Sequence, residues 1–197
     1  MTTTPPKPRA AVSPPAWPGA KVWTCDEFHA LGDQGFFANR RPVLIRGTIV
    51  ELGPMNPPHA VAVELIQDLL RTVFGVGWRV RTQLPLVLSQ VSDPQPDFAV
   101  LPGSARTASG HPTAAALVIE VADSSLRMDL GEKMELYAAG GITDYWVVDV
   151  NAGELVVHRD PDPAAEQYRT VFRLRPADSV ATLAAPTSPV LVSELLL

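Results

Sequence analysis

A single acidic residue interrupts one of the most apolar segments of the chain. Residues 117–121 read LVIEV, and this run of aliphatic and β-branched side chains predicts a buried strand. Burying an isolated ionised carboxylate is costly, or it shifts the pKa of the carboxyl until the group becomes neutral. Glu120 therefore requires a cation, hydrogen bonds, or a wet cleft at the end of its strand.

A second carboxylate stands at the entrance to another apolar segment. Asp97 follows Pro96 and begins the run DFAVL, where it is neither an obvious helix cap nor part of a charged surface. If the two strands are neighbours, Asp97 and Glu120 face one Mg²⁺, and the backbone carbonyl of Val121 supplies a third oxygen. A structural alternative explains the two acids equally well. In it, Asp97 caps a turn, and Glu120 either faces solvent or pairs with an arginine.

Hydrophobic periodicity predicts an α/β (α+β) order of elements around these acids. A capping box at residues 24–27 begins a short helix, residues 42–52 form a strand or hairpin, and an amphipathic helix covers residues 59–74. A strand, a helix and a strand at residues 117–121, 129–139 and 145–150 favour a parallel crossover. The other predicted strands are residues 78–83, 86–88, 97–101, 154–159 and 168–174.

Composition limits the class of protein. The chain has 197 residues, of which 46% are hydrophobic, and its net charge is -5. These values predict one domain with a substantial core and without a global positive field, so any binding of nucleic acid has to be local. Residues 1–20 contain six prolines and no long apolar stretch, which predicts a disordered leader and not a membrane anchor, followed by a single domain over residues 21–197. The single cysteine, Cys25, fits a reducing compartment, and we expect a cytoplasmic protein.

Lys133, on the helix predicted after Glu120, is a candidate for stabilising negative charge or holding a water molecule. Asp129 precedes it by four residues, which is also the favourable order for a plain helix-surface ion pair worth about 0.3 to 0.5 kcal/mol. His59 begins the first long helix and is a possible supporting residue of the same cleft, although a histidine in this position is more often simply solvated. The sequence contains no HExxH zinc motif, no GxSxG motif and no nucleotide-binding loop.

Several segments in order resemble the signature of a known family. PDFAVLPG, HPTAAALVIEVADSS and DLGEKMELYAAGGITDYWVVD follow one another, and LIRGTIVELGPMNPPHAVAVELI extends the match upstream, so that it spans residues 41–159. This pattern is similar to the Uma-type restriction endonuclease family, a bacterial branch of the PD-(D/E)XK nuclease superfamily. The resemblance implies a restriction-endonuclease-like core with a mixed central β-sheet flanked by helices.

The resemblance also implies roles for individual residues. Asp97 and Glu120 correspond to the two metal carboxylates, and Val121 to the residue whose backbone carbonyl completes the set. The superfamily lysine two positions after the second acid is Ala122 here, so that Lys133 becomes its natural substitute, with Asp129 marked on the same helix. The family often has glutamate where this chain has Val43 and Thr48, which removes two acids able to support metal binding.

The leading hypothesis is an endonuclease that uses Mg²⁺, or Mn²⁺ in its place, to activate a water molecule that hydrolyses phosphodiester bonds of DNA. Arg79, Arg81 and Arg127 are candidate phosphate contacts near the cleft. A homodimer is expected because duplex DNA presents two strands to cut. The alternatives are a catalytically weak or inactive nuclease fold that serves as a binding or oligomerisation module, and hydrolysis of another phosphate compound.

Overall fold

The strand that carries Glu120 lies at the centre of the fold, because it is covered on both faces. In the computed structural model, which describes residues 19–196, β5 (Leu117–Ala122) and β6 (Asp144–Asp149) are buried along their whole length. Continuous apolar strands of this kind are typical of sheets with helices on both sides. Residues 1–18, which make up most of the predicted leader, and residue 197 lie outside the described residues.

Six strands form one mixed sheet in the order β3-β4-β5-β6-β7-β8. The four other strands are β3 (Trp78–Thr82), β4 (Phe98–Pro102), β7 (Glu154–Asp162) and β8 (Gln167–Leu174). Only β5 and β6 are parallel neighbours within this sheet, and the other pairs are antiparallel. The short helices α3 (Leu126–Asp129) and α4 (Glu132–Ala139) make the crossover between them, which confirms the predicted mixed sheet.

Two layers of helix enclose the sheet. The helix α2 (Pro57–Phe74) begins where the Asn56 side chain accepts a hydrogen bond from the amide of His59, and it buries one apolar face on the sheet. That face contacts alternate residues of the central strands, including Phe98, Ile119, Trp146, Val148 and Val157. On the opposite side of the sheet, Tyr137 and Ala138 of α4 pack on the intervening residues Ala99, Val118, Tyr145, Val147 and Val156. No helix within residues 19–196 is long and apolar enough to cross a membrane.

An N-terminal helix and a hairpin pack on each other, and the hairpin packs on Leu136 of α4. The helix α1 (Cys25–Asp33) begins with the predicted capping box of Thr24 and Glu27. The strands β1 (Pro42–Ile45) and β2 (Thr48–Glu51) pair antiparallel, and Leu44 bridges to Asp93 in the loop before β4. The strands β9 (Ser179–Val180) and β10 (Val190–Leu191) pair near the C-terminus, and short 3-10 helices lie at Ala105–Thr107 and Val192–Leu195.

Two predictions about local structure are wrong. The predicted strand at residues 86–88 is a loop, in which the Leu86 amide bonds to the carbonyl of Pro94 and the apolar side chain of Leu86 is buried without regular pairing. The predicted helix over residues 129–139 is broken at Gly131, whose backbone (φ -116°, ψ -106°) is not helical. A Cβ atom at Gly131 would lie 2.8 Å from the Arg127 carbonyl oxygen, so this tight turn between α3 and α4 favours glycine.

A buried ion pair fixes the start of β6. Asp144 is fully buried and accepts hydrogen bonds from the Trp146 indole at 2.7 Å, from Arg159 Nε at 2.9 Å and from the Leu183 amide at 2.8 Å. Arg159 also donates to the Ala181 carbonyl at 2.7 Å. These contacts attach the segment before β10 to the sheet.

Replacing Asp144 with alanine should lower the free energy of unfolding by about 3 to 5 kcal/mol, because the Arg159 guanidinium would remain largely buried without its partner. Urea denaturation measures this loss. The control is Arg169→Ala, which breaks the exposed pair with Asp162 and should leave the free energy of unfolding nearly unchanged. Equal effects of the two substitutions would show that the buried pair has no special weight.

His158 is a buried histidine on β7. Its ring lies between those of Tyr145 and Tyr168, with centroid distances of 5.2 and 5.6 Å, and its Nδ1 atom is buried without a hydrogen-bond partner. Burial lowers the pKa of His158 to about 4; a backbone hydrogen bond with Tyr145 opposes this shift, and the charge of Arg173 adds a weaker contribution in the same direction as burial. The folded protein therefore holds this ring in its neutral form.

We expect this ring to make stability depend on pH. Between pH about 6.5 and pH about 4 the unfolded chain binds a proton at His158 that the folded chain does not. The contribution of His158 to the free energy of unfolding therefore falls as the pH falls, by at most about 3 kcal/mol. The difference in unfolding free energy between the wild type and His158→Phe, measured across this range, should follow that curve. A difference that is constant with pH would contradict the assignment.

Candidate active site

The register of β4 and β5 brings the two predicted carboxylates together. The strands pair antiparallel through Phe98 and Ile119, so Asp97, the residue before β4, stands opposite Glu120. The Asp97 amide lies 3.3 Å from Glu120 Oε2 and donates a hydrogen bond to it. The two strands are therefore neighbours, as the hypothesis of a shared site required.

The ladder between β4 and β5 ends at Phe98, beside these acids. The Pro96 carbonyl accepts from the Gln83 amide at 3.2 Å, and the Asp97 amide donates to the Glu120 side chain, so the peptide between Pro96 and Asp97 does not continue the ladder to Val121. The carbonyl of Ala122, the residue after Val121, accepts from the Val150 amide on the β6 side. Because successive residues of a strand point their backbone groups to opposite sides, the Val121 carbonyl lies on the side of Asp97.

Asp97 is held by three donors. Its Oδ2 atom accepts from the Val121 amide at 2.9 Å, and its Oδ1 atom is 3.1 Å from His59 Nε2 and 3.0 Å from Gln83 Nε2. Burial raises the pKa of Asp97, but the hydrogen bond and charge of His59 and the Val121 amide outweigh it, so the net pKa lies below its usual value. The hydrogen bond to Asp97 in turn raises the pKa of His59. This pair favours an ionised Asp97.

Glu120 has the opposite electrostatic balance. The Tyr137 hydroxyl donates to its Oε1 atom at 2.6 Å, and Lys133 Nζ lies 3.1 Å from its Oε2 atom. Burial raises the pKa of Glu120, the charge of Lys133 lowers it, and the carboxylates of Asp129 and Asp97 raise it again, so that the net pKa lies above its usual value. Burial and the negative charges around Glu120 therefore outweigh the positive charge of Lys133.

Lys133 joins the crossover helices to the two central acids. Its ammonium lies 2.9 Å from Asp129 Oδ1 as well as 3.1 Å from Glu120, and its side chain is 14% exposed. The Ser125 hydroxyl donates to Asp129 Oδ2, and the Asp129 carbonyl accepts from the Tyr145 hydroxyl at 2.8 Å. Lys133 therefore makes both contacts that the sequence suggested. It pairs with Asp129 across the break at Gly131, and it also reaches Glu120.

Asp97, Glu120 and Lys133 line a cleft of about 180 Å³ at the end of the sheet. One wall is the segment after the hairpin, from Leu52 to Asn56, and the other is the loop after β5, from Asp123 to Ser125. Asp123 binds the side chains of both Asn56 and Asn151, which ties the two walls together. Arg41, His59, Gln83, Gln95, Asp97, Glu120 and Lys133 complete the lining.

The candidate phosphate contacts from the sequence lie elsewhere. Arg79 and Arg81 pair with Leu101 and Ala99, further along β3, and Arg81 donates to the Pro85 carbonyl at 3.0 Å. Arg127 is exposed on α3. Within residues 19–196 the cleft lining includes Arg41 but none of these three arginines.

Two residues that contact the central acids were not predicted from the sequence. Tyr137 follows Lys133 by four residues and thus shares its helix face, a periodicity that identifies it in retrospect. Gln83 contacts Asp97 from a left-handed backbone conformation (φ 52°), for which a glutamine gives no signal. Neither Val43, which is buried beside Leu136, nor Thr48, at the hairpin turn, is part of the lining.

The available oxygens suit a hard divalent cation. Asp97 Oδ2 has one hydrogen bond, which leaves a lone pair free, and Glu120 lines the same cleft. Among residues 19–196 there is no group of three or more His, Cys, Asp or Glu side chains arranged around a common point. Mg²⁺ commonly takes only one or two carboxylates and keeps several waters, so this donor set fits Mg²⁺ better than Zn²⁺.

This chain shares its mixed sheet flanked by helices with a known structure. Its fold matches a crystal structure described as "a putative nuclease belonging to DUF820 from Anabaena variabilis", with a TM-score of 0.70, 16% sequence identity, and coverage of 87% of this chain and 96% of that chain. The family model "Uma2: Putative restriction endonuclease" matches residues 25–189. The chain therefore belongs to the Uma2 family, which confirms the resemblance noted in the sequence. A comparison with curated proteins finds no significant match.

Without metal, replacing Glu120 with glutamine should leave the free energy of unfolding unchanged or raise it by about 1 kcal/mol. The amide removes a buried charge at nearly the same volume, and Lys133, unlike Arg159 in Asp144→Ala, keeps a second carboxylate partner in Asp129. The Tyr137 hydroxyl can accept as well as donate, so it can still pair with the new side chain. Urea unfolding in EDTA is the measurement. Tyr137→Phe is the comparison, and it should cost about 1 to 3 kcal/mol because Glu120 loses a buried donor. A loss above about 2 kcal/mol in Glu120→Gln would show that the Glu120–Lys133 pair is a net stabiliser.

Proposed function

We propose that this chain is a Mg²⁺-dependent endonuclease that hydrolyses phosphodiester bonds of DNA. The observation that carries the proposal is the opposition of Asp97 and Glu120 in a cleft that also contains Lys133. Membership of a family described as restriction endonucleases supports the reaction class. Lys133 pairs with two buried carboxylates, Glu120 and Asp129, beside a third, Asp97. Stability alone explains such a cluster poorly, because replacing a whole buried ion pair by apolar residues is often neutral or stabilising.

Asp97, Glu120 and the Val121 carbonyl would hold the cation, and Mn²⁺ is expected to replace Mg²⁺ at the same oxygens. The bound ion supplies Lewis-acid activation of water and of the phosphate. The protein contributes a rigid frame, because Asp97 is fixed by the Val121 amide and by Gln83, and Glu120 by Tyr137. A frame that needs no rearrangement is the main source of electrostatic catalysis.

Lys133 is the residue that we assign to the developing negative charge. Its burial and its two carboxylate partners keep it protonated: burial lowers the pKa of Lys133, but the charges of Glu120 and Asp129 raise it above its usual value. Asp129, held by Ser125, keeps the ammonium in position when Glu120 is engaged elsewhere. His59 keeps Asp97 ionised and is a second donor at the cleft.

One observation favours the alternative of an inactive nuclease fold that binds nucleic acid or another copy of the chain. Lys133 and His59 already contact Glu120 and Asp97, so the acids have internal cations even without a metal. A site of this kind can be stable while binding Mg²⁺ only weakly. The two functions differ in whether added Mg²⁺ stabilises the fold and supports cleavage.

The wild-type protein should nick supercoiled plasmid with Mg²⁺ or Mn²⁺, and Asp97→Asn, Glu120→Gln and Lys133→Met should each reduce the rate at least about 100-fold, because each removes a group that acts on the phosphate or its cation. Gel electrophoresis of the plasmid over time measures the rate. The matched control is Asp162→Asn, which removes an acid of similar chemistry from the exposed end of β7. Single-stranded DNA and RNA, tested in parallel, define the substrate.

Thermal unfolding separates the two functions. Binding of Mg²⁺ to the native state should stabilise the wild type by about 1.4 kcal/mol at a concentration ten times the dissociation constant, and it should not stabilise Asp97→Asn. Stabilisation together with cleavage supports the endonuclease. A folded wild type that shows neither with any nucleic acid belongs to the inactive class.

A further inference from the structure

Arg41 reaches the cleft from outside the sheet. It precedes β1, and its carbonyl accepts from the Leu52 amide at 2.9 Å, so the open end of the hairpin is closed directly beside the cleft. Its side chain is exposed, and within residues 19–196 it is the only arginine in the lining. The hairpin thus places a permanent positive charge at the rim of a site whose interior is acidic.

The guanidinium of Arg41 is bonded to a neutral partner. Its Nη2 atom donates to Gln83 Oε1 at 3.3 Å, and Gln83 Nε2 donates to Asp97 Oδ1 at 3.0 Å. This relay fixes Arg41 one side chain away from a central carboxylate. Among the described residues no carboxylate lies within ion-pair distance of Arg41, whereas most other arginines at the surface of this acidic chain have one: Arg40, Arg46, Arg71, Arg169 and Arg173.

The contrast with the preceding residue is informative. Arg40 donates to Glu51 through both Nε (3.0 Å) and Nη2 (2.6 Å), outside the cleft, so its charge is already balanced. Arg41 uses one of its five donors on Gln83 and keeps its full charge. A guanidinium matches the geometry of a phosphate group and can bind two of its oxygens at once.

We infer that Arg41 binds a phosphate of the nucleic-acid backbone next to the bond that is cut, and so sets the strand in register with Asp97 and Glu120. This inference rests on the proposed function and deepens it. A contact of this kind positions the substrate without reading its sequence. It also accounts for nucleic-acid binding by a chain with a net charge of -5, since one local cation at the cleft can act where a global positive field is missing.

The salt dependence of binding tests the inference. The affinity of the full-length protein for a fluorescein-labelled duplex and for the same labelled single strand is measured by anisotropy at several salt concentrations, with Ca²⁺ replacing Mg²⁺. Arg41→Ala should weaken binding about tenfold and reduce the slope of log K against log salt by about 0.9 for the duplex or about 0.7 for the single strand, because one phosphate contact is lost. A merely structural role of Arg41 leaves that slope unchanged.

Two variants complete the experiment. Arg40→Ala removes the adjacent, already paired arginine and should keep the wild-type slope, whereas Arg41→Lys should keep the slope but bind less tightly, because lysine cannot form the bidentate contact. If the wild type binds and Arg41→Ala has the same salt slope as the wild type, the inference on Arg41 is overturned while the proposed function stands. If the wild type binds neither strand nor duplex, the proposed function itself fails, and the inference fails with it.

Discussion

The opposition of two carboxylates across β4 and β5 is the constraint on which the rest of the structure depends. Asp97 and Glu120 lie almost without solvent at the end of a sheet, where each would repel the other. Each carboxylate is therefore contacted by cationic or polar side chains, and the two sets of side chains come from helices on opposite faces of the sheet. The N-terminus of α2 brings His59 to Asp97, and the crossover helix α4 brings Lys133 and Tyr137 to Glu120.

Much of this architecture was predictable because apolar periodicity records burial. The strands around both acids, the long helix α2 and the parallel crossover follow from that pattern, and the neighbouring strands brought Asp97 and Glu120 together as the hypothesis required. The same pattern failed at Leu86, where an apolar residue is buried from a loop. It also failed at Gly131, because helical periodicity continues across the turn that separates α3 from α4.

The finer features of the cleft depend on contacts between distant segments. Arg41 and Gln83 meet across 42 positions of sequence, and neither is set apart by its neighbours in the chain. Gln83 also adopts a left-handed conformation that only the folded backbone reveals. In contrast, the pairing of Lys133 with Asp129 was visible in their spacing, and the structure adds that the same ammonium reaches Glu120. Local spacing therefore identified Asp129 as a partner of Lys133, whereas its second partner, Glu120, became visible only in the tertiary fold.

The ladder between β4 and β5 stops short of Asp97, and the cleft depends on that interruption. The Pro96 carbonyl accepts from Gln83, so the Val121 amide is left to donate to the Asp97 side chain. A change that extends the ladder by one pair can take this amide away from Asp97 while every acidic side chain stays in the sequence. Relatives that keep both carboxylates can therefore differ in how firmly the first one is held, and a comparison of their charged residues alone would count them as equivalent.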